Sequence, residues 1–187
     1  MTASAESVPM VALMRGINVG TSKRIAMADL RALLEGLGYS QIRTHLNSGN
    51  AVFACAPESA DGAGSAIERA ITTDLGVQCA VITRTGPELE HAVAMNPLLG
   101  IVSDPSRHLV GFLSGRPDPA RVTELLEQDF GADEVRLLGR EVYLWCPGGI
   151  LDSPFGKVDW EKSIGVSVTM RNWNTVRKLA DLVAGTR

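Results

Sequence analysis

Met10 to Cys55 reads MVALMRGINVGTSKRIAMADLRALLEGLGYSQIRTHLNSGNAVFAC, and the order of patterns within it decides the fold. Met10-Val11-Ala12-Leu13-Met14 is a short unbroken apolar run, the mark of a strand buried on both faces. A polar, glycine-rich loop follows from Arg15 to Arg24. Leu30, Leu33, Leu34 and Leu37 then recur at helical spacing, and Gly38 closes that helix. Ile42 to Leu46 alternates like a strand. Asn47-Ser48-Gly49-Asn50 is a cluster of turn formers, and Ala51 to Cys55 is a further strand, so the pair predicts a hairpin.

Working outward from that stretch, Ala56 to Ser65 is loop-like. Ile67, Ala70, Ile71 and Leu75 line a helix closed by Gly76, and Val77 to Thr83 reads as a strand. The order is therefore βαββαβ. Pro87 opens one more short helix, which Asn96-Pro97 stops. The pattern then restarts. Leu109 to Leu113 is a strand, Asp118-Pro119 starts a helix, and Gly139-Arg140 joins two strands, Val135–Leu138 and Val142–Cys146. A short helix around Trp160, a strand Val166–Met170 and a helix Thr175–Val183 complete it.

The expected architecture is α+β, with two tandem ferredoxin-like βαββαβ units, each followed by an extra helix. The repetition is one of element order, not of residue identity. The expected boundaries are a disordered tail over 1–8, a first unit over 9–96 and a second over 107–185, the two packing as one domain. Since Met10–Met14 and Val142–Cys146 are apolar at nearly every position, both faces of each sheet should be covered.

The chain has 187 residues, 45% hydrophobic and 21% charged, an ordinary globular balance. Aromatic residues make up only 5%, which argues against a base-stacking platform. The net charge of −3 likewise argues against a nucleic-acid partner. Charge is uneven, however: residues 15–45 hold Arg15, Lys23, Arg24, Arg31 and Arg43 against Asp29 and Glu35. Cys55, Cys79 and Cys146 form no CxxC pair and read as core or strand-end residues. The small, polar start, with no long apolar stretch after it, reads as a cytoplasmic protein without a membrane span.

Leu13-Met14-Arg15-Gly16-Ile17-Asn18-Val19-Gly20, Met27-Ala28-Asp29-Leu30-Arg31, Ser48-Gly49-Asn50 and Thr169-Met170-Arg171-Asn172-Trp173-Asn174-Thr175 together resemble the bacterial domain-of-unknown-function family 1697. The resemblance runs from about Val8 to Val183. It implies an α+β fold and no established activity. Thr21 departs from the second glycine expected after Gly20.

Topology alone sets the candidate site. Strand one runs up into Arg15–Gly20, helix one returns, and strand two runs up into Asn47–Asn50, so loop and turn share one sheet edge. Arg15, Gly16, Asn18 and Gly20, with Asn47, Ser48, Gly49 and Asn50, offer a guanidinium, amides and an open backbone to a phosphate or carboxylate. The alternative is structural, with Arg15 tying loop carbonyls together. Arg171, Asn172, Trp173 and Asn174 lie where the last strand enters the last helix, a second anion-accepting position. His45 stands near the first edge and is the one candidate general base. His45, His91 and His108 lack metal-ligand spacing, the glycine-rich loop is neither a P-loop nor a dinucleotide fingerprint, and the cofactor is unknown. The leading expectation is a binding module for a small anionic ligand or nucleotide. The others are an enzyme using Arg15 or His45, and a nucleic-acid-binding or partner-binding scaffold.

Overall fold

Strand β1 (Val8–Met14) is the central organiser of the first sheet. It pairs antiparallel with β3 (Asn50–Cys55) on one side and with β4 (Val81–Thr85) on the other, and β2 (Ser40–Thr44) completes the order β2-β3-β1-β4. In this computed structural model the described residues are 6–20 and 23–186. Thr21 and the first five residues therefore lie outside the described residues.

The strand starts two residues earlier than its apolar run suggests, so Val8 belongs to the sheet and not to a tail. Pro9 is tolerated inside a central strand for a local reason. The Arg15 N–H bonds to the Ala80 carbonyl on the β4 side, so odd-numbered residues of β1 face β4. Pairing with β4 begins only at Met10, and the missing N–H of Pro9 breaks no ladder bond.

Helices α1 (Met27–Gly36) and α3 (Ala63–Leu75) contribute Leu30, Leu33, Leu34, Ile67 and Ile71 to one core. Met10, Ala12, Met14, Ala51 and Phe53 meet them from one face of the sheet. Val11, Leu13, Val52 and Ala54, which alternate with those residues, are equally buried. The even apolar composition of β1 thus reflects burial on both faces. A one-turn helix, α2 (Pro57–Ala60), occupies part of the stretch that composition marks as loop. Strand β4 sits later than the Val77–Thr83 run and includes Arg84, whose side chain is almost wholly buried. A buried arginine is not a strand signal, which displaced the sequence reading. Helix α4 (Gly86–Ala94) follows directly. Thr85 and Glu88 cap it reciprocally, with Glu88 accepting from the Thr85 N–H at 2.8 Å and Thr85 Oγ1 from the Glu88 N–H at 3.3 Å.

The second sheet comprises β5 (His108–Leu113), β6 (Glu134–Leu138), β7 (Glu141–Trp145) and β8 (Val168–Asn172), in the order β6-β7-β5-β8. Helices α5 (Pro119–Leu126) and α6 (Trp160–Ile164) add Leu125 and Ile164 to its core, beside Leu113, Val142, Leu144 and Phe155. Gly111 is needed in β5 because a Cβ there would lie 2.5 Å from Val142 and 2.7 Å from the Met170 sulfur. Asp118 caps α5 by accepting from the Ala120 N–H at 2.9 Å. Helix α7 (Trp173–Ala184) ends the described fold. The whole is a mixed α+β architecture of two four-stranded antiparallel sheets and, among the described residues, seven α-helices.

By compactness the chain divides into Ala92–Arg177 and a unit made of everything up to His91 together with the stretch from Lys178. This division differs from a linear cut at 96–107. It falls inside α4 and again inside α7, because the chain returns to its first unit after finishing the second. No helix among the described residues is long and apolar enough to cross a membrane.

Candidate functional site

The edge where β1 ends is assembled from three segments of the first unit. The Met14 N–H donates to the Gly49 carbonyl at 2.8 Å, and the next residue's N–H donates to Ala80 at 2.9 Å. The chain therefore leaves the sheet held to the β2–β3 turn on one side and to the approach of β4 on the other. Gly16 and Gly20 take φ of +69° and +65°, which glycine adopts without penalty. Ile17 turns inward and is buried, whereas Arg15 is exposed.

Asn18 fixes the loop's shape. Its Nδ2 donates to the Ile25 carbonyl at 2.9 Å and to the Asn47 carbonyl at 2.6 Å, and its Oδ1 accepts from the Ile25 N–H at 2.8 Å. One side chain thus closes the loop on itself and fastens it to the neighbouring turn. A φ of +55° is the cost, and Asn is the residue after Gly that bears it best. Its amide is committed to this frame.

Asn50 does the same for the turn. It is fully buried, and its Nδ2 donates to the His45 carbonyl at 2.9 Å and to Ser48 Oγ at 3.1 Å. The His45 N–H in turn donates to the Asn50 carbonyl at 3.0 Å. Gly49 has φ +82°, and a Cβ there would fall 2.8 Å from the Met14 Cβ and 2.9 Å from Ile17. Close approach and left-handed backbone both require glycine at this position. The structure thus brings Arg15, Gly16, Asn18, Gly20, Asn47, Ser48, Gly49 and Asn50 to one edge. Within that set, Asn18, Gly49 and Asn50 build the frame. Arg15, Asn47 and Ser48 are exposed.

Two depressions flank the loop. One, of about 580 Å³, is lined by Arg15, Lys23, Glu68, Thr72, Gln78 and Cys79. It is mixed in charge. Glu68 accepts from the Val81 N–H at 3.2 Å, and burial pushes the Cys79 thiol up, away from the reactive thiolate. The other, of about 500 Å³, is lined by Asn18, Arg24, Ile25, Ala26, Met27 and Asn47, with no carboxylate. Helix α1 has Ala26 as its N-cap there, which supplies no side-chain cap. Its first N–H groups lie beside Arg24, an arrangement that suits an anion.

The Arg171 segment is built differently. Arg171 is buried, and its guanidinium donates at 2.8 Å to Thr169 Oγ1 and to the Met170 carbonyl. Burial brings its pKa down to about 10, which leaves it charged at neutral pH. Asn172 caps α7 by accepting from the Asn174 N–H at 2.9 Å, while its Nδ2 donates to the Ser106 carbonyl at 2.7 Å. Trp173 is buried against His108, with ring centroids 5.0 Å apart. Only Asn174 of the four is exposed.

Sequence reasoning passed over several residues. Lys23 and Arg24 were visible as charge but were not placed in the site. The signal was available, because Arg15 to Ala28 contains three basic residues and no acidic one. His108, fully buried, is the histidine with both ring nitrogens engaged. The Leu144 carbonyl, 2.8 Å from Nδ1, can only accept, so Nδ1 carries the proton. The Asn96 amide nitrogen donates to Nε2 at 2.7 Å, an orientation set by the Leu98 N–H donating to Asn96 Oδ1 at 3.0 Å. Nothing in the spacing of His108 announces this network. Among the described residues, no group of three or more His, Cys, Asp or Glu side chains is placed to hold a metal ion.

Fold and edge together define an α+β protein of two four-stranded sheets with a basic loop at the end of its first strand. The same architecture occurs in the conserved bacterial protein SP0830 from Streptococcus pneumoniae, with a TM-score of 0.77 at 20% identity, over 95% of this chain and 99% of that one. The family model described as a protein of unknown function, DUF1697, matches residues 8–143, and the chain belongs to that family. No curated protein matches the sequence.

Proposed function

We propose that the chain is a binding module for a small anionic ligand, seated on the α1 side of the 15–26 loop. The observation that carries this reading is the carboxylate-free depression in which Arg24 stands beside the uncapped start of α1. Helix N–H groups and a guanidinium are complementary to phosphate or carboxylate. Asp29 lies in the first turn of α1 but does not line the depression. Backbone strain supports the same location. Of the non-glycine residues with positive φ, Asn18, Lys23 and Leu46 all lie in this loop or the turn beside it.

Each unit reads as a ferredoxin-like βαββαβ module followed by a helix. The strand orders support this, as does the position of α1 and α3 against one face of the first sheet. The reading of the pair as a tandem repeat draws support from register. Val11 faces Val52 and Arg84, and Val110 faces Tyr143 and Arg171. On that alignment the two buried arginines are equivalent, and Cys55 ends the third strand of its unit where Cys146 directly follows that of the other. Three buried free thiols suit a reducing, cytoplasmic setting.

The test is a thermal-shift titration with inorganic phosphate, nucleoside phosphates and small carboxylates. Binding should raise Tm in a concentration-dependent way. Arg24→Ala should abolish the shift, and Arg15→Ala should weaken it by removing nearby positive charge. No shift with any of these anions, or shifts indifferent to Arg24, would overturn the reading.

A further inference from the structure

We infer that His108 is an acid-sensitive latch on residues 95–102: its neutral ring holds the segment closed, and a proton on Nε2 releases it and uncovers Leu98. The geometry admits one state of the ring. Nδ1 donates to the Leu144 carbonyl at 2.8 Å in either charge state, but Nε2 accepts from the Asn96 amide nitrogen, at 2.7 Å, only while it carries no proton. Turning the Asn96 amide over does not repair the contact, because it would set an NH₂ against the Leu98 N–H that now donates to Oδ1 at 3.0 Å. A second proton on the ring therefore opposes donor to donor in a fully buried place.

The contacts around the latch confine the consequence. Before it, the Tyr143 hydroxyl donates to the Ala92 carbonyl at 2.8 Å. After it, Asn172 Nδ2 donates to the Ser106 carbonyl at 2.7 Å, and the Cys146 N–H to the Arg107 carbonyl at 3.1 Å. Between these pins the Ile101 and Val102 N–H groups both donate to the Leu98 carbonyl at 3.0 Å, inside the segment. The Asn96–His108 bond ties it to β5. Leu98 is fully buried, whereas Met95, Leu99 and Ile101 are exposed, so release adds Leu98 to an apolar surface already on view.

The surrounding groups keep their charge while His108 titrates. Tyr143 and Arg171 share its face of the sheet, both opposite Val110. The tyrosine hydroxyl is bound to Ala92, and Arg171 stays protonated to about pH 10. Trp145 of β7 and Trp173 of α7 carry no charge, and Arg177 of α7 is exposed. Residues 92–94 of α4 are Ala92, Val93 and Ala94. Asp104 and Arg107, at the entry to β5, pair at 3.6 Å, and hydrogen bonds from Ser106 hold the Asp104 carboxyl below its ordinary pKa. Burial lowers the His108 pKa, against the Leu144 carbonyl, which raises it. The closed form thus takes the proton less readily than the open one. Opening is suppressed above the free-ring value of about 6.5 and grows as pH falls from there toward the closed-state value, by up to about tenfold per pH unit.

The test is hydrogen exchange of the full chain by NMR, referred to intrinsic rates, with the His108 ring titrated in the same spectra between about pH 7.5 and 5.5. Protection of the Ile101 and Val102 amides should fall as the ring takes its proton, while the amides of β5 keep theirs. Asn96→Asp should reverse the effect, since a carboxylate accepts from the Leu98 N–H and from a protonated Nε2 alike. In that variant His108 should titrate at higher pH, and Ile101 and Val102 should hold their protection in acid. A merely structural contact would not change direction with that exchange. Protection of Ile101 and Val102 that ignores pH would overturn the inference. So would equal loss from the segment and from β5, which is global unfolding, or an unmoved His108 titration in folded Asn96→Asp. The wild-type comparison decides the matter alone if the variant does not fold.

Discussion

Where β1 ends, the first unit runs through residues 15–26 before α1 begins; where β5 ends, the second runs only through 114–118 before α5. The sheets beneath are matched bond for bond at this edge. The Leu113 N–H donates to Arg140 as the Met14 N–H donates to Gly49, and the Ser114 N–H donates to Ser167 as that of Arg15 does to Ala80. The hairpins differ in the same sense. Residues 45–49 join β2 to β3, whereas Gly139-Arg140 suffices between β6 and β7, with glycine at the left-handed position. A common frame has been given long connections at one end of one unit and minimal ones in the other. Extended loops on a rigid scaffold are where binding chemistry concentrates, and this contrast supports the proposed seat in the first unit.

The sharpest way to break the contrast is Gly49→Ala. It places a Cβ against Met14 in a left-handed residue and should cost about 2–4 kcal/mol in urea unfolding. Next is Asn18→Ala, which removes three hydrogen bonds and should cost about 1–3 kcal/mol. Hydrogen exchange should then quicken across residues 16–26 while the second unit keeps its protection. Asn172→Ala should cost about 0.5–2 kcal/mol through loss of the α7 cap, with no effect on anion titration at Arg24. The smallest effect is one of pH. Burial lowers the His108 pKa, and only the neutral ring fits its two partners. A depressed histidine contributes stability above its unfolded value of about 6.5 and loses it as pH falls toward the folded value. Stability should therefore decline below about pH 6.5, and His108→Gln should be less stable at pH 7 with a shallower decline. A wild-type slope retained in that variant would assign the titration to another group.

The element order was legible from Met10–Met14, the Leu30–Leu37 face and the two hairpins, because apolar periodicity and turn chemistry are local properties. Strand β4 was misplaced because Arg84 is buried by tertiary packing that no local window contains. The meeting of loop and turn followed from chain direction alone. The roles of Asn18 and Asn50 did not, since a turn-forming asparagine looks the same whether its amide faces solvent or holds two segments together. Leu46 carried no signal at all: its left-handed backbone comes from the turn geometry around it.

The way the chain returns to its first unit also bears on how the protein is made. Val183 lies 3.2 Å from where a Cβ on Gly86 would stand, and the Arg43 guanidinium lies 3.6 Å from the corresponding point on Gly185. Residues from Lys178 onward thus help to complete a unit whose other part was synthesised first. On the ribosome, the first unit lacks this closing segment while all of Ala92–Arg177 is translated, and the second unit is the first to have its whole sequence available. A released chain truncated after Arg177 should therefore fold its second unit and leave its first one less protected in hydrogen exchange.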